Sequence, residues 1–274
     1  MSGPATSTRA DAAGRGVAAI ETDAVSVVID GRRIVDSVGF AAHRGEVHAL
    51  IGPNGAGKST LLAALAGDHA VSEGRVLVGG RPLAEWTLRA LARERSVLLQ
   101  QGTVFFPFTV RQVVEMGRRP WLRTAREDDD EAVVAESLRV TDLAGFGERR
   151  LPSLSGGERG RAAFARTLAQ EAGILLLDEP TAALDLGHQE GLLQIARDRA
   201  SAGDAVVVVL HDLTLAAAWA DRITLLDDGR VSATGTPGEV LTSERLSAVY
   251  RHPVEVLRHP ATGAAIVLPV RAGR

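Results

Sequence analysis

The stretch that decides the fold is Gly52-Pro53-Asn54-Gly55-Ala56-Gly57-Lys58-Ser59-Thr60, which follows the apolar run Val47–Ile51. Its fixed positions match G-x-x-x-x-G-K-[ST], and Lys58–Ala66 has helical spacing with Gly67 as a stop. Glycines let the backbone curl so that successive N–H groups point at phosphate oxygens, and the helix N-terminus adds positive potential. A plain glycine-rich turn is the alternative, and the strand–loop–helix context disfavours it. All nine residues of the loop are therefore predicted to bind nucleotide phosphates, with Lys58 reaching the β- and γ-phosphates and Ser59 binding Mg²⁺.

A second apolar run, residues 174–177, ends in two carboxylates, Asp178 and Glu179. Buried parallel strands deliver such residues to the carboxyl edge of the sheet, where ligands of open α/β sheets bind. We expect Asp178 to hold Mg²⁺ through water and Glu179 to polarise the attacking water as general base. An apolar run followed by Asp-Glu is by itself a common strand end, but downstream of a phosphate loop the catalytic role is favoured.

Strand and helix patterns alternate along the chain. Hairpins are expected at 25–40 and 75–83, further strands at 96–99, 174–177, 205–210 and 223–227, and a helix at about 186–200. Between residues 109 and 170 only amphipathic helical stretches occur. These patterns predict an α/β P-loop NTPase fold with a parallel core sheet, an antiparallel β subdomain and an inserted helical subdomain at about 105–170.

The overall composition restricts the possible partners. The 274 residues are 45% hydrophobic and 24% charged with a formal charge of −3, which disfavours a protein whose main task is coating nucleic acid. The absence of cysteine excludes disulfides and Cys-based metal sites. No apolar run approaches the roughly 18 residues of a membrane span, and residues 1–20 lack a secretory apolar segment. We expect a disordered tail at 1–20, a folded domain at 21–274, and membrane contact only through a partner.

The segment Leu154-Ser155-Gly156-Gly157-Glu158 adds a family resemblance. The chain resembles the ATP-binding subunits of ABC transporters, whose signature is LSGGQ or LSGGE, over about residues 21–250. Ser155 and the two glycines precede a helix and form a second anion-binding cup. In the family this cup binds the γ-phosphate held by the other subunit. The resemblance therefore implies ATP and Mg²⁺ as cofactors and a head-to-tail dimer of two copies with ATP between them.

Other diagnostic elements occur in family order and carry implied roles. Gln100 ends a strand as the Q-loop glutamine does, with Gln101 the less favoured candidate, and would contact Mg²⁺. Residues 180–185 resemble the D-loop, which implies that Asp185 contacts the nucleotide, and His211 resembles the switch histidine that holds the γ-phosphate. A lone histidine at a strand end is usually structural, but its place in this order favours the catalytic role.

The chain departs from the family at the base pocket. The family usually stacks adenine on an aromatic residue in the first hairpin, near Val28 or Ile29 here, and this chain has no aromatic before Phe40. Stacking of a base on an aromatic ring contributes about 1–3 kcal/mol. We therefore expect reduced discrimination between ATP and GTP.

Several features favour a transporter subunit over other ABC proteins. One cassette without a coiled-coil insertion disfavours a soluble ABC protein of translation or DNA repair, and the presence of Glu179 and His211 disfavours a non-hydrolysing regulatory binder. The expected partners are a transmembrane permease dimer and, through it, a substrate-binding protein, with no nucleic acid, at the cytoplasmic face of the inner membrane. Phe105, Phe106 and Phe108 are expected either to form a groove for a permease helix or to fill a local core.

Short segments at 106–110, 116–121 and 256–269 resemble the ATPases of iron-chelate importers, with hemin import the nearest match. Siderophore or cobalamin import is the alternative. His252 and His259 are expected on the surface and not as haem ligands. The arginines among residues 118–126 are expected to form a patch near nucleic acid, permease or lipid headgroups.

Overall fold

The computed structural model describes residues 17–99 and 108–271. The strands in this part of the chain are β1 (Ile20–Ile29), β2 (Arg32–Ala42), β3 (Val47–Ile51), β4 (Glu73–Val78), β5 (Arg81–Pro82), β6 (Arg95–Leu98), β7 (Ile174–Asp178), β8 (Ala205–Val209), β9 (Arg222–Asp227), β10 (Arg230–Gly235), β11 (Val254–Arg258) and β12 (Ala265–Pro269). The α-helices are α1 (Lys58–Ala66), α2 (Leu88–Glu94), α3 (Val110–Glu115), α4 (Asp130–Val140), α5 (Gly156–Ala169), α6 (Leu186–Ser201), α7 (Leu213–Trp219), α8 (Pro237–Val240) and α9 (Ser243–Tyr250).

A six-stranded sheet with the order β10-β9-β3-β8-β7-β6 forms the centre of the fold. All its pairings are parallel except β9 with β10. Strands β3, β7 and β8 are buried along their full length, as expected for a sheet covered on both faces. Their carboxyl ends lie at one edge and carry the phosphate loop, Asp178 and the segment leading to His211. The predicted parallel core sheet is confirmed, and the antiparallel edge strand β10 adds to it.

The antiparallel β subdomain is a second sheet with the order β2-β1-β4-β5. Its apolar side chains form one core cluster with α1 and one face of the central sheet. The other face of the sheet packs against α5, α6, α7 and α9 in a second cluster. The phosphate loop and α1 therefore lie between the two sheets. Both predicted hairpins are present, although the second is short because β5 has only two residues before a 3₁₀ turn.

Helices α3, α4 and α5 form the inserted helical block and have an apolar cluster of their own. One member of the predicted arginine patch was assigned wrongly, because Arg118 is only 2% exposed. Its guanidinium bonds to Asp130 Oδ1 at 2.7 Å and to Glu171 Oε2 at 2.7 Å. The paired partners explain how a charged side chain is accommodated inside the block. The neighbouring Arg119 and Arg126 are exposed.

Two further expectations change at the ends of the fold. The folded part begins before the predicted boundary, since Ala18, Ala19 and Ile20 are buried. At the other end, the chain after β10 forms α8, α9 and the hairpin β11–β12, none of which was predicted. His252 and His259 are exposed there, as expected. Gln100, Gln101, Phe105 and Phe106 lie outside the described residues.

Candidate active site

The phosphate loop has the backbone that its glycines predict. Gly52, Gly55 and Gly57 have φ values of +147°, +81° and +94°, a region that residues with a Cβ rarely adopt. A Cβ on Gly57 would lie 2.8 Å from the carbonyl oxygen of Ile34, so the loop also fits closely against β2. Within the loop the Ala56 amide donates to the Pro53 carbonyl at 3.2 Å. Asn54 and Gly55 are exposed at the tip, where phosphate can approach.

Lys58 is the first residue of α1, and its side chain is held inside the loop. Its ammonium donates to the carbonyl oxygens of Gly52 at 2.8 Å and Pro53 at 2.9 Å. Burial lowers the pKa of Lys58, while the charges of Glu179 and Asp178 oppose that shift. The lysine thus lies between the loop carbonyls and two carboxylates, with a fixed position from which a phosphate could be bound.

Ser59 and Asp178 come together across α1 and β7. The Ser59 hydroxyl donates to Asp178 Oδ1 at 3.0 Å. Burial raises the pKa of Asp178, and the charge of Glu179 adds to the rise, whereas the Ser59 bond and the Lys58 charge lower it. Hydroxyl and carboxylate oxygens are ligands that Mg²⁺ accepts while keeping several waters and substrate phosphates. The pair therefore fits a magnesium site completed by a nucleotide, although in residues 17–99 and 108–271 no three His, Asp or Glu side chains could hold a metal alone.

Glu179 and His211 are in direct contact, with His211 Nε2 against Glu179 Oε1. Glu179 has a left-handed backbone with φ +50°, as does Ala183 with φ +62°, so the segment after β7 turns sharply at the sheet edge. The Glu179 side chain is mostly buried and that of His211 is half exposed. A carboxylate and an imidazole that share a hydrogen bond beside a phosphate loop can activate and orient one water.

The signature forms the N-terminus of α5. The Ser155 hydroxyl accepts from the Glu158 amide at 3.2 Å, and Glu158 Oε2 accepts from the Ser155 amide at 2.6 Å, which is a capping box. The bonds from Ser155 lower the pKa of Glu158. Ser155 and Gly156 are exposed, so this helix end faces outward and can bind an anion from another molecule.

The segment predicted as the D-loop lies beside the signature of the same chain. A Cβ on Gly157 would lie 3.1 Å from the carbonyl oxygen of Ala183, so a larger residue there would require the D-loop backbone to shift by a few tenths of an ångström. Asp185 caps α6 by accepting from the His188 amide at 2.9 Å, and this bond lowers its pKa. In the single chain Asp185 therefore positions α6, and its predicted contact with nucleotide stays a prediction.

One residue of the site was missed, namely Tyr250 at the end of α9. It is the only tyrosine of the chain; burial raises the pKa of its hydroxyl to about 12, and the backbone of Gly52 opposes that rise, so the hydroxyl lies near the phosphate loop. A second unforeseen contact is the amide of Gly229, in the turn between β9 and β10, which donates to the Ala56 carbonyl at 3.2 Å. No local motif marks either residue as part of the site. For Tyr250, the one signal in the sequence is that the chain has a single tyrosine.

A P-loop after a buried parallel strand, with Asp178, Glu179 and His211 at the same sheet edge, defines a nucleoside-triphosphate-hydrolysing enzyme of the α/β class. The family model described as ABC transporter matches residues 35–182. The chain belongs to the ABC transporter family and is an ATPase of that family.

Two relatives and two solved structures show the range of similarity. A "Hemin import ATP-binding protein HmuV" of Rhodococcus jostii is 56% identical over 94% of this chain and 89% of its own length. A "Cobalamin import ATP-binding protein BtuD" of Halobacterium salinarum is 44% identical over 92% of this chain and 63% of its own length. A metal-chelate type ABC transporter in an inward-facing conformation aligns with a TM-score of 0.78 and 27% identity over 93% of this chain and 98% of that one. A dimeric ATP-binding cassette bound to ADP and Pi aligns with a TM-score of 0.72 and 26% identity over 80% of this chain and 98% of that one. In the described part of this chain, no helix is both long and apolar enough to cross a bilayer.

Proposed function

We propose that this chain hydrolyses ATP at a site shared by two copies and thereby energises a membrane importer, with hemin as the cargo. The proposal that the chain hydrolyses ATP rests on one observation. Ser59 contacts Asp178, and Glu179 contacts His211, beside the buried Lys58. The cargo rests on a separate comparison: the hemin import relative is more similar to this chain than the cobalamin import relative, at 56% against 44% identity.

Each residue of the cluster has a role that follows from its contacts. The loop amides and Lys58 bind the β- and γ-phosphates, because the lysine is already held where the loop encloses it. Ser59 and Asp178 would hold Mg²⁺, which would supply positive charge against the phosphates. Glu179 accepts a proton from the attacking water, and His211, hydrogen-bonded to Glu179, holds the γ-phosphate and orients that water. Gln100 is proposed to contact the magnesium ion.

The second half of the site comes from another copy. Ser155, Gly156 and Gly157 form an exposed helix N-terminus, and in the single chain the hydrogen bonds between Ser155 and Glu158 stay within that helix end. An anion-binding end that faces outward suits a phosphate held by a second chain. A head-to-tail dimer places each signature against the partner's phosphate loop. The dimeric cassette bound to ADP and Pi supports this arrangement by similarity.

The helical block offers a surface for the permease. A groove with a volume of about 540 Å³ opens between α3 and α4, and its lining includes Phe108, Met116, Leu122 and Val134. Apolar side chains bordered by Gln112 and Glu131 suit one turn or two of an amphipathic permease helix. Phe108 also packs against the apolar cluster of the block, so both roles foreseen for the phenylalanine segment are compatible here. A substrate-binding protein would act through the permease, and the complex would lie at the cytoplasmic face of the inner membrane.

Transport into vesicles tests the proposal. The chain is reconstituted with the permease of its own cell, ATP is supplied on the side of the ATPase, and uptake of hemin, a ferric siderophore and cobalamin is compared. We expect ATP-dependent uptake of hemin above the other two, and none with the Glu179→Gln variant, which keeps the fold but lacks the base. Preferential uptake of cobalamin or a siderophore would reassign the cargo, while hydrolysis by Glu179→Gln at the wild-type rate would remove Glu179 from its role.

A further inference from the structure

The D-loop, residues 180–185, connects the proposed base to the signature of the same chain. It follows Glu179 directly and ends at Asp185, which is the N-cap of α6. Near its middle, the Ala183 carbonyl oxygen would lie 3.1 Å from a Cβ on Gly157 of the signature. A change in the shape of the D-loop would therefore move the base and the signature relative to each other.

The backbone of the D-loop is sharply bent. The Ala182 amide donates to the Glu179 carbonyl at 3.1 Å, and the Leu184 amide donates to the Thr181 carbonyl at 3.3 Å, so two turns follow each other. Glu179 and Ala183 have φ values of +50° and +62°, which residues with a Cβ rarely adopt. Ala182 and Ala183 are exposed. A strained and exposed backbone of this kind keeps its shape only where neighbouring groups hold it.

Gln189, in the first turns of α6, has a side chain that holds this backbone. Its amide nitrogen donates to the Leu184 carbonyl at 2.9 Å and lies 3.5 Å from the Thr181 carbonyl oxygen. Both neighbours are acceptors, so the NH₂ group of the side chain faces them. Gln189 is half-buried, and its own backbone amide donates to the Asp185 carbonyl at 2.9 Å, which fixes it on the helix. One side-chain amide therefore reaches both carbonyls of the turn that carries Ala183.

We propose that Gln189 is a positioning residue for hydrolysis, which acts through the D-loop on Glu179. The inference rests on the proposed function, in which Glu179 accepts a proton from the attacking water. The Gln189 amide keeps the turn from Thr181 to Leu184 closed, and this turn begins shortly after Glu179. Without the amide the turn gains freedom, and the pair of Glu179 and His211 is held less firmly at the attacking water. The phosphate loop is held by its own carbonyls and by the turn between β9 and β10, so nucleotide affinity is retained while cleavage slows.

The test compares Gln189→Met, which keeps the length of the side chain and removes its amide, with Gln194→Met on the same helix. Gln194 is exposed, and its amide donates to Asp198 at 2.8 Å within α6, so the control makes the same change away from the D-loop. For full-length Gln189→Met we expect kcat for ATP to fall about fivefold, which corresponds to one hydrogen bond of about 1 kcal/mol. KM for ATP, and affinity for ADP measured by isothermal titration calorimetry, should stay within about twofold of wild type. Gln194→Met should keep the wild-type kcat.

A second variant, Gln189→Glu, has the shape of the wild-type side chain but, when ionised, cannot donate to the two carbonyls, so its kcat should fall at least as far as that of Gln189→Met. A wild-type kcat in either Gln189 variant overturns the proposal. So does a higher KM with kcat retained, which would place the effect in nucleotide binding, or an equal loss of kcat in Gln194→Met. Glu179→Gln, assayed in parallel, separates the two levels of the argument. If Glu179→Gln is inactive and the Gln189 variants are unaffected, only the positioning role fails, whereas hydrolysis by Glu179→Gln at the wild-type rate removes the base on which that role depends.

Discussion

Replacement of the buried Arg118 should lower the stability of the protein by an amount that can be worked out from its contacts. Its guanidinium bonds to Asp130 and Glu171, to the Ala169 carbonyl at 2.8 Å and to the Arg126 carbonyl at 3.0 Å. The substitution Arg118→Met keeps much of the volume and removes all four bonds. Two carbonyls and two carboxylates at the base of the helical block then lose their shared donor.

The size of the effect follows from burial. Removing one partner of a buried ion pair costs about 3–5 kcal/mol, because the remaining charge is left without compensation. Asp130 and Glu171 keep side-chain exposures of 28% and 36%, so water can screen them and the lower figure of about 3 kcal/mol applies. For a chain of this size each kcal/mol lowers Tm by about 2–4 °C, which gives a loss of about 6–12 °C.

Differential scanning calorimetry of the variant measures this loss, and Arg119→Met is the matched control. Arg119 is the next residue in the chain and is exposed, so its replacement should leave Tm within about 2 °C of wild type, as surface substitutions usually do. Equal melting temperatures for Arg118→Met and the wild type would refute the inference that the four bonds of the buried Arg118 guanidinium stabilise the helical block.

Further predictions concern the site and the core. Glu179→Gln should bind ATP and accumulate as an ATP-bound dimer with hydrolysis lowered about 10²- to 10⁴-fold, measured by size-exclusion chromatography and phosphate release; Lys58→Ala should instead lose nucleotide binding in a filter assay. GTP should compete with ATP at comparable concentration because the chain offers no aromatic platform before residue 40, and a strong preference for ATP would count against this. Burial lowers the pKa of His48, opposed by Glu46, so the unfolded chain takes up a proton near pH 6.5 that the fold does not. Stability should therefore fall below that pH by up to about 1.4 kcal/mol per pH unit, and less in His48→Gln, as followed by urea denaturation at pH 5 to 8.

The parts of the site that are built from residues close together in the chain could be predicted from the sequence. The phosphate loop needs glycines at fixed spacing, so its position, the helix Lys58–Ala66 and the stop at Gly67 could all be predicted, and Gly67 does have the left-handed conformation of a helix end. The strand before Asp178 could be predicted because a fully buried strand is a continuous apolar run. Both inferences use information that lies within a few residues.

Contacts between distant segments could not be predicted in this way. Nothing around Tyr250 indicates that its hydroxyl lies near the phosphate loop, because that depends on how α9 packs after the sheet is complete. The burial of Arg118 depends likewise on Asp130 and Glu171 from two other segments. The hairpin β11–β12 was not predicted because its strands are only partly buried and lack a clear alternation of buried and exposed residues.

The central claim is that one active site is built from two copies, with Lys58 from one and Ser155 from the other. Lys58→Ala and Ser155→Arg chains are purified separately and then mixed in equal amounts, and ATP hydrolysis is measured before and after mixing. Each variant alone should be inactive, and the mixture should recover about a quarter of the wild-type rate, since half of the dimers are mixed and each has one intact site. Hydrolysis by Ser155→Arg alone at the wild-type rate would contradict the shared site.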